Sequence, residues 1–188
     1  MKKHINLIFD KINEIITKNK NFYNQGNSIL ISSLLFEEKY LSLYNITNCI
    51  AQQEVFLPLK ENKKKPILYW FTIDDKKTNA TELRKNYIEF KQTKSTRASA
   101  SYKRYLAENS KTLYVGKVKK DFHLRLVTHL GYSNNEKTAG MQLFHWFNPE
   151  VFGNLTLNYL VFNEEMSDLI TILEMELARE LKPIIGKY

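Results

Sequence analysis

The order of strand-like and helix-like segments in the second half of the chain limits its fold more than any other feature. Segments rich in aromatic and β-branched residues favour strands, and apolar residues at three- and four-residue spacing favour helices. Six such segments follow one another: strands at 66–73 and 112–118, helices at 121–131 and about 138–147, a strand at 155–162 and a helix at 167–181. This order predicts an α+β domain.

The first 60 residues carry a helical pattern instead. Apolar residues recur at three- and four-residue spacing between residues 3 and 18, which predicts an amphipathic helix with one apolar stripe. A second helix is predicted at about 28–50, and a lysine-rich run at 60–65 then interrupts the pattern. We therefore predict a helical N-terminal extension over residues 1–60 and a separate domain over residues 61–188.

Positive charge is concentrated in the middle third of the chain. Residues 61–120 hold sixteen Lys or Arg against six Asp or Glu, whereas the rest of the chain holds twelve against fourteen. The middle third therefore carries a charge of +10 and the rest −2, which together give the net charge of +8. Such a concentration attracts polyanions such as nucleic acid, and a merely solvated surface is the alternative explanation.

Other features limit the class of protein. With 188 residues, of which 43% are hydrophobic, the chain can bury one good core. No apolar run approaches the ~20 residues that cross a bilayer, so no membrane partner is expected. The N-terminus lacks a secretory pattern, and the single cysteine, Cys49, forbids an internal disulfide. We therefore expect a cytoplasmic protein in which Cys49 is a structural thiol.

Motif residues occur in a fixed order through the second half of the chain. They are Tyr114-Val115-Gly116 in a predicted strand, Arg125 eleven positions after Tyr114, His129 four positions later, and Glu174 in a helix that ends near Lys182-Pro183. In this order they resemble the GIY-YIG nuclease family, whose signature pairs a Tyr-Ile-Gly strand with an Arg, a His or Tyr, and a late metal-binding Glu.

The chain departs from the family pattern at four places. Arg125 follows Tyr114 by eleven positions, one more than the commonest spacing, so a small bulge or a longer turn must precede the helix. The first half of the signature, Gly-Ile-Tyr, falls on residues 67–69, where Tyr69 matches but the glycine is missing. Residues 74–111 insert 38 residues where family members have a short hairpin. Gly186 stands where many members have Asn. None of these departures removes a chemical group from the core set.

The resemblance implies a fold and an activity. The fold is a small three-stranded antiparallel sheet flanked by helices. The activity is that of a DNA endonuclease dependent on Mg²⁺ or Mn²⁺, for which a restriction role is preferred because the chain has its own flanking elaborations. Three alternatives remain: a repair or mobile-element nuclease, a nucleic-acid-binding module with a decayed site, and a protein-interaction module built on the N-terminal helices.

The chemistry of phosphodiester hydrolysis suits the charged motif residues. On a helix, Arg125 and His129 share one face at positions i and i+4, so both can point at one phosphate. Glu174 lies beside the apolar stripe of its helix, whereas Glu176 and Glu180 fall on the face predicted to be exposed. Because Mg²⁺ commonly takes only one or two protein carboxylates, Glu174 alone suffices as the metal ligand.

Tyr69, Tyr114 and Lys117 complete the predicted catalytic set. The resemblance implies that the two tyrosines meet on adjacent strands beside the scissile phosphate, where one orients or deprotonates water. A tyrosine has an ordinary pKa of ~10, so Lys117 or the metal would have to stabilise its phenolate. His129, with an ordinary pKa of ~6.5, is the alternative base. A core aromatic is the alternative reading of Tyr69.

The insertion is predicted to contact DNA. Leu83, Tyr87 and Phe90 fit the apolar stripe of a helix, and residues 102–105 interleave aromatics with cations. A solvated loop is the alternative for this segment. The N-terminal helices could form a recognition surface or a homodimer contact, and a dimer could also form on DNA. The predicted DNA-contacting cations are Lys103, Arg104, Arg97 and Lys119.

Overall fold

A computed structural model of the protein describes residues 2–20, 26–43, 45–74, 79–93, 96–102, 107 and 110–187. The described part of the chain forms an α+β fold around a four-stranded antiparallel sheet. The strands are β1 Asn27–Ile31, β2 Ile67–Ile73, β3 Thr112–Val118 and β4 Leu155–Val161. Their order in the sheet is β1-β4-β2-β3, so β2 is central and β3 lies at one edge.

Helices cover both faces of this sheet. The α-helices are α1 Lys2–Lys20, α2 Gln53–Glu61, α3 Ala80–Gln92, α4 Phe122–Leu130, α5 Pro149–Phe152 and α6 Ile170–Leu181. Short 3₁₀ turns are Ser33–Leu35, Glu38–Ser42, Ile46–Asn48, Ile50–Gln52, Leu143–His145 and Glu164–Ser167. Within the described ranges, no helix is both long and apolar enough to cross a membrane.

The elements with the clearest local patterns are confirmed. β2, β3 and β4 occupy the three predicted strand segments, and α1, α4 and α6 occupy predicted helices. The helix expected within the insertion is α3, on which Leu83 and Tyr87 are fully buried and Phe90 is partly buried. In α3, α4 and the strands the side-chain period matches the face that the element buries, whereas most of the apolar stripe of α1 is exposed.

The predicted three-stranded sheet and the predicted helix at 28–50 are wrong. Residues 27–31 form a fourth strand, β1, which pairs with β4 along its whole length, and 3₁₀ turns follow it. The N-terminal extension is therefore not wholly helical. The cause is tertiary: pairing with the free edge of β4 buries Ile31 completely, which a short apolar run cannot signal by itself.

The predicted helix at about 138–147 is also wrong. Only a 3₁₀ turn, Leu143–His145, forms there. Gln142, just before it, has a left-handed backbone with φ of 57°, which ends any continuous right-handed helix. Met141 and Gln142 are nevertheless completely buried, so the apolar spacing of this stretch reflects burial of an irregular segment.

Alternating residues of β2 divide the core between the two faces of the sheet. Tyr69 and Phe71 belong to the larger core with residues of α2, α3 and α4. Leu68 and Trp70 face the other way and pack with α6 and with Ile15 of α1. N-terminal residues share the larger core, among them Ile31, Leu35, Tyr40, Ile46, Phe56 and Leu59.

Candidate active site

Adjacent strands bring the two motif tyrosines together. In the β2–β3 register Tyr69 lies opposite Gly116 and Phe71 lies opposite Tyr114, so these residues share the face toward α4. The rings of Tyr69 and Tyr114 stack with their centroids 6.2 Å apart. Tyr69 is completely buried, whereas Tyr114 is only partly buried. Tyr114 is therefore the tyrosine with access to solvent.

Gly116 makes this arrangement possible. A Cβ atom at this position would lie 2.6 Å from Cε1 of Tyr114 and 2.6 Å from the hydroxyl oxygen of Tyr69. Real Cβ atoms do not approach other heavy atoms so closely. A glycine is therefore required at position 116, because the two tyrosine rings occupy the space that a side chain would need. Glycine is the residue that permits such close approach to the backbone.

We expect Gly116→Ala to lower the free energy of unfolding by about 1–3 kcal/mol, because the added methyl group must displace two packed rings. The measurement is denaturant unfolding. Gly26→Ala is the matched control, since a Cβ there meets no atom within 4 Å, and its effect should stay within about 0.5 kcal/mol. Equal stabilities of the two variants would contradict the proposed packing role of Gly116.

Helix α4 directs Arg125 and His129 at Tyr69. The hydroxyl of Tyr69 lies 2.8 Å from Nε2 of His129 and accepts a hydrogen bond of 3.4 Å from Nε of Arg125. The expected i, i+4 placement on one face is therefore confirmed. Arg125 also donates from Nη1 to the carbonyl of Ala139 at 2.6 Å. The guanidinium is thus held on two sides.

The second hydrogen bond of His129 sets its protonation. The backbone N–H of Met141 donates to Nδ1 of His129 at 3.3 Å, so Nδ1 must accept and the proton must lie on Nε2. Nε2 then donates to Tyr69. Burial lowers the pKa of His129 well below its ordinary value, and the charge of Arg125 adds to this effect. His129 is therefore a neutral imidazole with both nitrogens engaged.

The two tyrosines differ in their electrostatic surroundings. Burial is the main cause that raises the pKa of Tyr69, so Tyr69 remains a phenol. Burial also raises the pKa of Tyr114, but the charge of Arg125 and hydrogen bonding to Arg125 and Tyr69 oppose that rise. Because the oxygen of Tyr69 accepts from both Arg125 and His129, its own proton is available to Tyr114.

Glu174 reaches this site from α6, which packs on the opposite face of the sheet. Its carboxyl group lies near the backbone N–H of Lys117 on the edge strand β3. Burial raises the pKa of Glu174, and the positive charges of Lys117, Arg125 and Lys187 act in the opposite direction, as does that backbone N–H. The charge of Glu174 in turn raises the pKa of both motif tyrosines. Glu174 therefore lies within electrostatic reach of Arg125 and of both motif tyrosines.

The predicted contrast between Glu174 and its neighbours on α6 is confirmed. Glu174 is partly buried, whereas Glu176 and Glu180 are exposed. Glu176 forms an ion pair with Arg179 on the helix surface. The structure thus brings Tyr69, Tyr114, Arg125 and His129 together on the α4 face of the sheet. Lys117 lies opposite Leu68 and so faces α6, where it is near Glu174.

The predicted DNA-contacting cations are more scattered. Lys103 and Arg104 lie outside the described residues. Arg97 is mostly buried and donates to the carbonyl of Ser133 at 2.9 Å, so its guanidinium ties the insertion to the loop after α4. Lys119 is exposed and forms a surface ion pair of 2.7 Å with Asp168. Such exposed pairs are weak and can exchange for another anion.

Sequence reasoning missed the residues that hold Arg125 and His129 in place. They belong to the segment 139–141, whose backbone contacts both side chains. The one available signal was Gly140, because a Cβ there would lie 2.6 Å from the carbonyl oxygen of Thr128 in α4. A glycine in an apolar stretch indicates such close backbone approach, but only the fold identifies its partner.

The acidic groups of the site fit a metal ion only in a limited way. Across the described ranges, no three His, Cys, Asp or Glu side chains gather as a self-contained metal site would require. Glu174 supplies one hard oxygen ligand, which is compatible with an ion that completes its shell with water and phosphate oxygens. An ion at Glu174 would therefore be shared with substrate.

Comparisons with known proteins do not assign a function to this chain, so the function is argued from the geometry of the site. No protein-family model matches the chain, and no curated protein or solved structure matches it.

Proposed function

We propose that this protein is a divalent-metal-dependent endonuclease that hydrolyses phosphodiester bonds in DNA through a GIY-YIG type of site. The observation that carries the proposal is the joint hydrogen bonding of Arg125 and His129 to Tyr69, beside the partly buried carboxylate of Glu174. A fixed guanidinium next to a ligand for a hard cation suits a phosphodiester, which gathers negative charge as it is hydrolysed.

Arg125 stabilises the charge on the phosphoryl oxygens in this mechanism. Its guanidinium stays ionised and offers a planar fork of donors. The bonds to Tyr69 and Ala139 orient it before substrate arrives, which is the condition for effective electrostatic catalysis. Lys117 balances the charge of Glu174 nearby.

Tyr114 orients the attacking water, because it is the partly exposed tyrosine and its ring stacks on that of Tyr69. Burial raises the pKa of Tyr114, so the charges of Arg125 and of a bound cation must favour its phenolate, which then takes one proton from the water. The water oxygen forms a bond to phosphorus, the bond from phosphorus to the 3′-oxygen breaks, and that oxygen takes up a proton from solvent.

Glu174 is the residue that would hold Mg²⁺ or Mn²⁺. When bound, such an ion supplies positive charge at the phosphoryl and leaving oxygens.

A group of exposed lysines beside α4 favours nucleic acid as the substrate. We call it the lysine edge, and it consists of Lys63, Lys64, Lys65, Lys119 and Lys120. The backbone N–H of Asp121 donates to the carbonyl of Lys63 at 2.6 Å, which joins the two chain segments that carry these lysines. They therefore meet at the start of the helix that bears Arg125 and His129, where a phosphate backbone entering the site would pass.

Replacing Lys63, Lys64 and Lys65 by Gln should flatten the dependence of log affinity on log salt by ~0.9 per lost phosphate contact on duplex DNA. Fluorescence anisotropy over a salt series measures this slope. The charge-matched control replaces Lys11, Lys18 and Lys20 of α1, all exposed, by Gln. Equal slopes for the two triple variants would contradict a specific lysine edge.

The same assay on a Lys103→Gln, Arg104→Gln variant tests the predicted contacts in the insertion.

Cleavage of supercoiled and linear DNA with Mg²⁺, Mn²⁺ or EDTA tests the proposed activity directly. We expect metal-dependent nicking or linearisation by the wild-type protein and none by an Arg125→Ala, Glu174→Ala variant purified in parallel, which controls for contaminating nucleases. Persistence of the same cleavage in that variant, or absence of metal-dependent cleavage by the wild type, would reject the nuclease assignment.

The second candidate function is a DNA-binding module with a decayed site. The lysine edge favours it as much as it favours a nuclease, so a gel shift without cleavage would support this candidate.

The nuclease proposal includes a restriction role and a homodimer that forms either through α1 or on DNA. The dimer is motivated by exposed apolar residues on α1, where Ile5, Ile8 and Phe9 are 46%, 58% and 60% exposed. Light scattering with and without DNA tests it.

A further inference from the structure

The segment 139–141 touches both α4 side chains of the candidate site. The carbonyl of Ala139 accepts a hydrogen bond of 2.6 Å from Nη1 of Arg125. The backbone N–H of Met141 donates to Nδ1 of His129 at 3.3 Å. Two peptide groups of one short segment therefore fix the direction of the guanidinium and the tautomer of the imidazole. Any shift of this segment would move both groups together.

The basic insertion holds this segment from the other side. The backbone N–H of Ala100 donates to the carbonyl of Gly140 at 2.8 Å, and Ser99 and Gly140 form a parallel β-bridge. The indole N–H of Trp146 donates to the carbonyl of Met141 at 2.7 Å. Gly140 itself lies against α4, because a Cβ there would clash with the carbonyl oxygen of Thr128. The segment is therefore clamped between α4 and the insertion.

Within the insertion, two side chains of α3 secure Ala100. The hydroxyl of Tyr87, which is completely buried, donates to the carbonyl of Ala100 at 2.6 Å. Nζ of Lys91 donates to the same oxygen at 2.9 Å. The N–H of Ala100 faces Gly140 while its carbonyl faces α3, so Ala100 links α3 to the segment 139–141. A continuous set of hydrogen bonds thus joins Tyr87 to Arg125 and His129.

We propose that the insertion acts as a positioning element for the active site, in which Tyr87 and Lys91, through Ala100 and Gly140, hold Arg125 and His129 in their working orientation. Tyr87 and Lys91 are positioning residues, since neither touches the substrate. The inference rests on the proposed nuclease function for its catalytic consequence, but the positioning itself is a property of the free protein. It gives the insertion a role within the catalytic domain that is distinct from contacting DNA.

The test compares Tyr87→Phe with Tyr132→Phe. Tyr132 is also buried, and its hydroxyl donates to the carbonyl of Leu35 at the same distance, 2.6 Å. The two variants therefore lose equivalent hydrogen bonds and should lose similar stability. We expect only Tyr87→Phe to lower the single-turnover cleavage rate at saturating DNA, by roughly 10-fold, since a misplacement of ~1 Å can cost ~10²-fold. The DNA dissociation constant should not change.

Lys91 requires its own variant because it bonds to the same carbonyl. Lys91→Met alone should reduce the rate less than Tyr87→Phe with Lys91→Met, which removes both donors to Ala100. The matched controls are Lys85→Met, an exposed lysine of the same helix, alone and combined with Tyr132→Phe. Rates are compared at saturating DNA, so that a loss of affinity from the missing charge does not enter the comparison.

Nuclear magnetic resonance of the imidazole nitrogens tests the positioning without any cleavage. The wild type should show His129 as a single Nε2–H tautomer, and the double variant should show mixed tautomers or faster exchange of that proton. Wild-type ring signals in the double variant, or rates no lower than those of the matched controls, would overturn the proposal. If the wild type cuts no DNA, the nuclease assignment fails, and the ring signals still decide the positioning.

Discussion

Arg125→Ala and Glu174→Gln should each lower metal-dependent DNA cleavage by at least ~10²-fold, with DNA affinity largely retained. Each variant removes one preorganised electrostatic group, and losses of this size are typical of such deletions. Glu176→Gln is the matched control, because Glu176 lies on the same helix but is exposed and ion-paired with Arg179. Single-turnover rates separate this effect from binding. A rate near that of the wild type would reject the role assigned to the residue concerned.

Glu174→Gln should also make the free protein more stable at neutral pH. Burial raises the pKa of Glu174 above its ordinary value of 4.5, so folding disfavours the ionised carboxylate. A carboxyl group with a raised folded-state pKa stabilises the fold below its unfolded pKa and loses that contribution as pH rises through the folded pKa. The melting temperature of Glu174→Gln should therefore exceed that of the wild type at pH 7, with a smaller difference near pH 4. Stability gained with activity lost is typical of functional carboxylates.

The central part of the fold could be predicted because its signals are local. β2, β3 and β4 have aromatic and β-branched runs of strand length, and α4 and α6 have a clear helical period. Once α4 is known to be a helix, the spacing of Arg125 and His129 places both on one face. Glu174 could be separated from Glu176 by its position relative to the apolar stripe.

The remaining features depend on contacts between distant parts of the chain. Strand β1 forms only because β4 offers a free edge, and no property of residues 27–31 distinguishes that strand from a helical segment. The lysine edge exists because the backbone of Asp121 reaches Lys63, which lies 58 positions earlier. From the sequence the lysine run could be interpreted only as a boundary. The tautomer of His129 likewise depends on a peptide group twelve residues away, in a segment predicted to be helical.

Tyr114→Phe should be more damaging to cleavage than His129→Ala, with a loss of at least ~10²-fold expected for removal of a general base. His129 is the better base by its ordinary pKa, but in the folded protein it is completely buried. Its Nδ1 accepts from Met141, and its Nε2 carries the proton donated to Tyr69. It therefore has no free lone pair to take a proton from water. Tyr114 is partly exposed, and although burial raises its pKa, the charge of Arg125 opposes that rise and so favours the phenolate.

Single-turnover rates over pH 5–9 for both variants decide between these bases. If Tyr114 is the base, His129→Ala should keep the shape of the wild-type profile, because the pKa of His129 lies well below neutrality and its ionisation does not limit the rate. The cleavage rate of His129→Ala should fall only because Tyr69 loses its hydrogen bond to His129 and can move. Tyr69→Phe serves as the control for that release, since it removes the hydroxyl that Arg125 and His129 share. Loss of an ionisation near neutral pH in His129→Ala alone, with Tyr114→Phe still active, would transfer the role of base to His129.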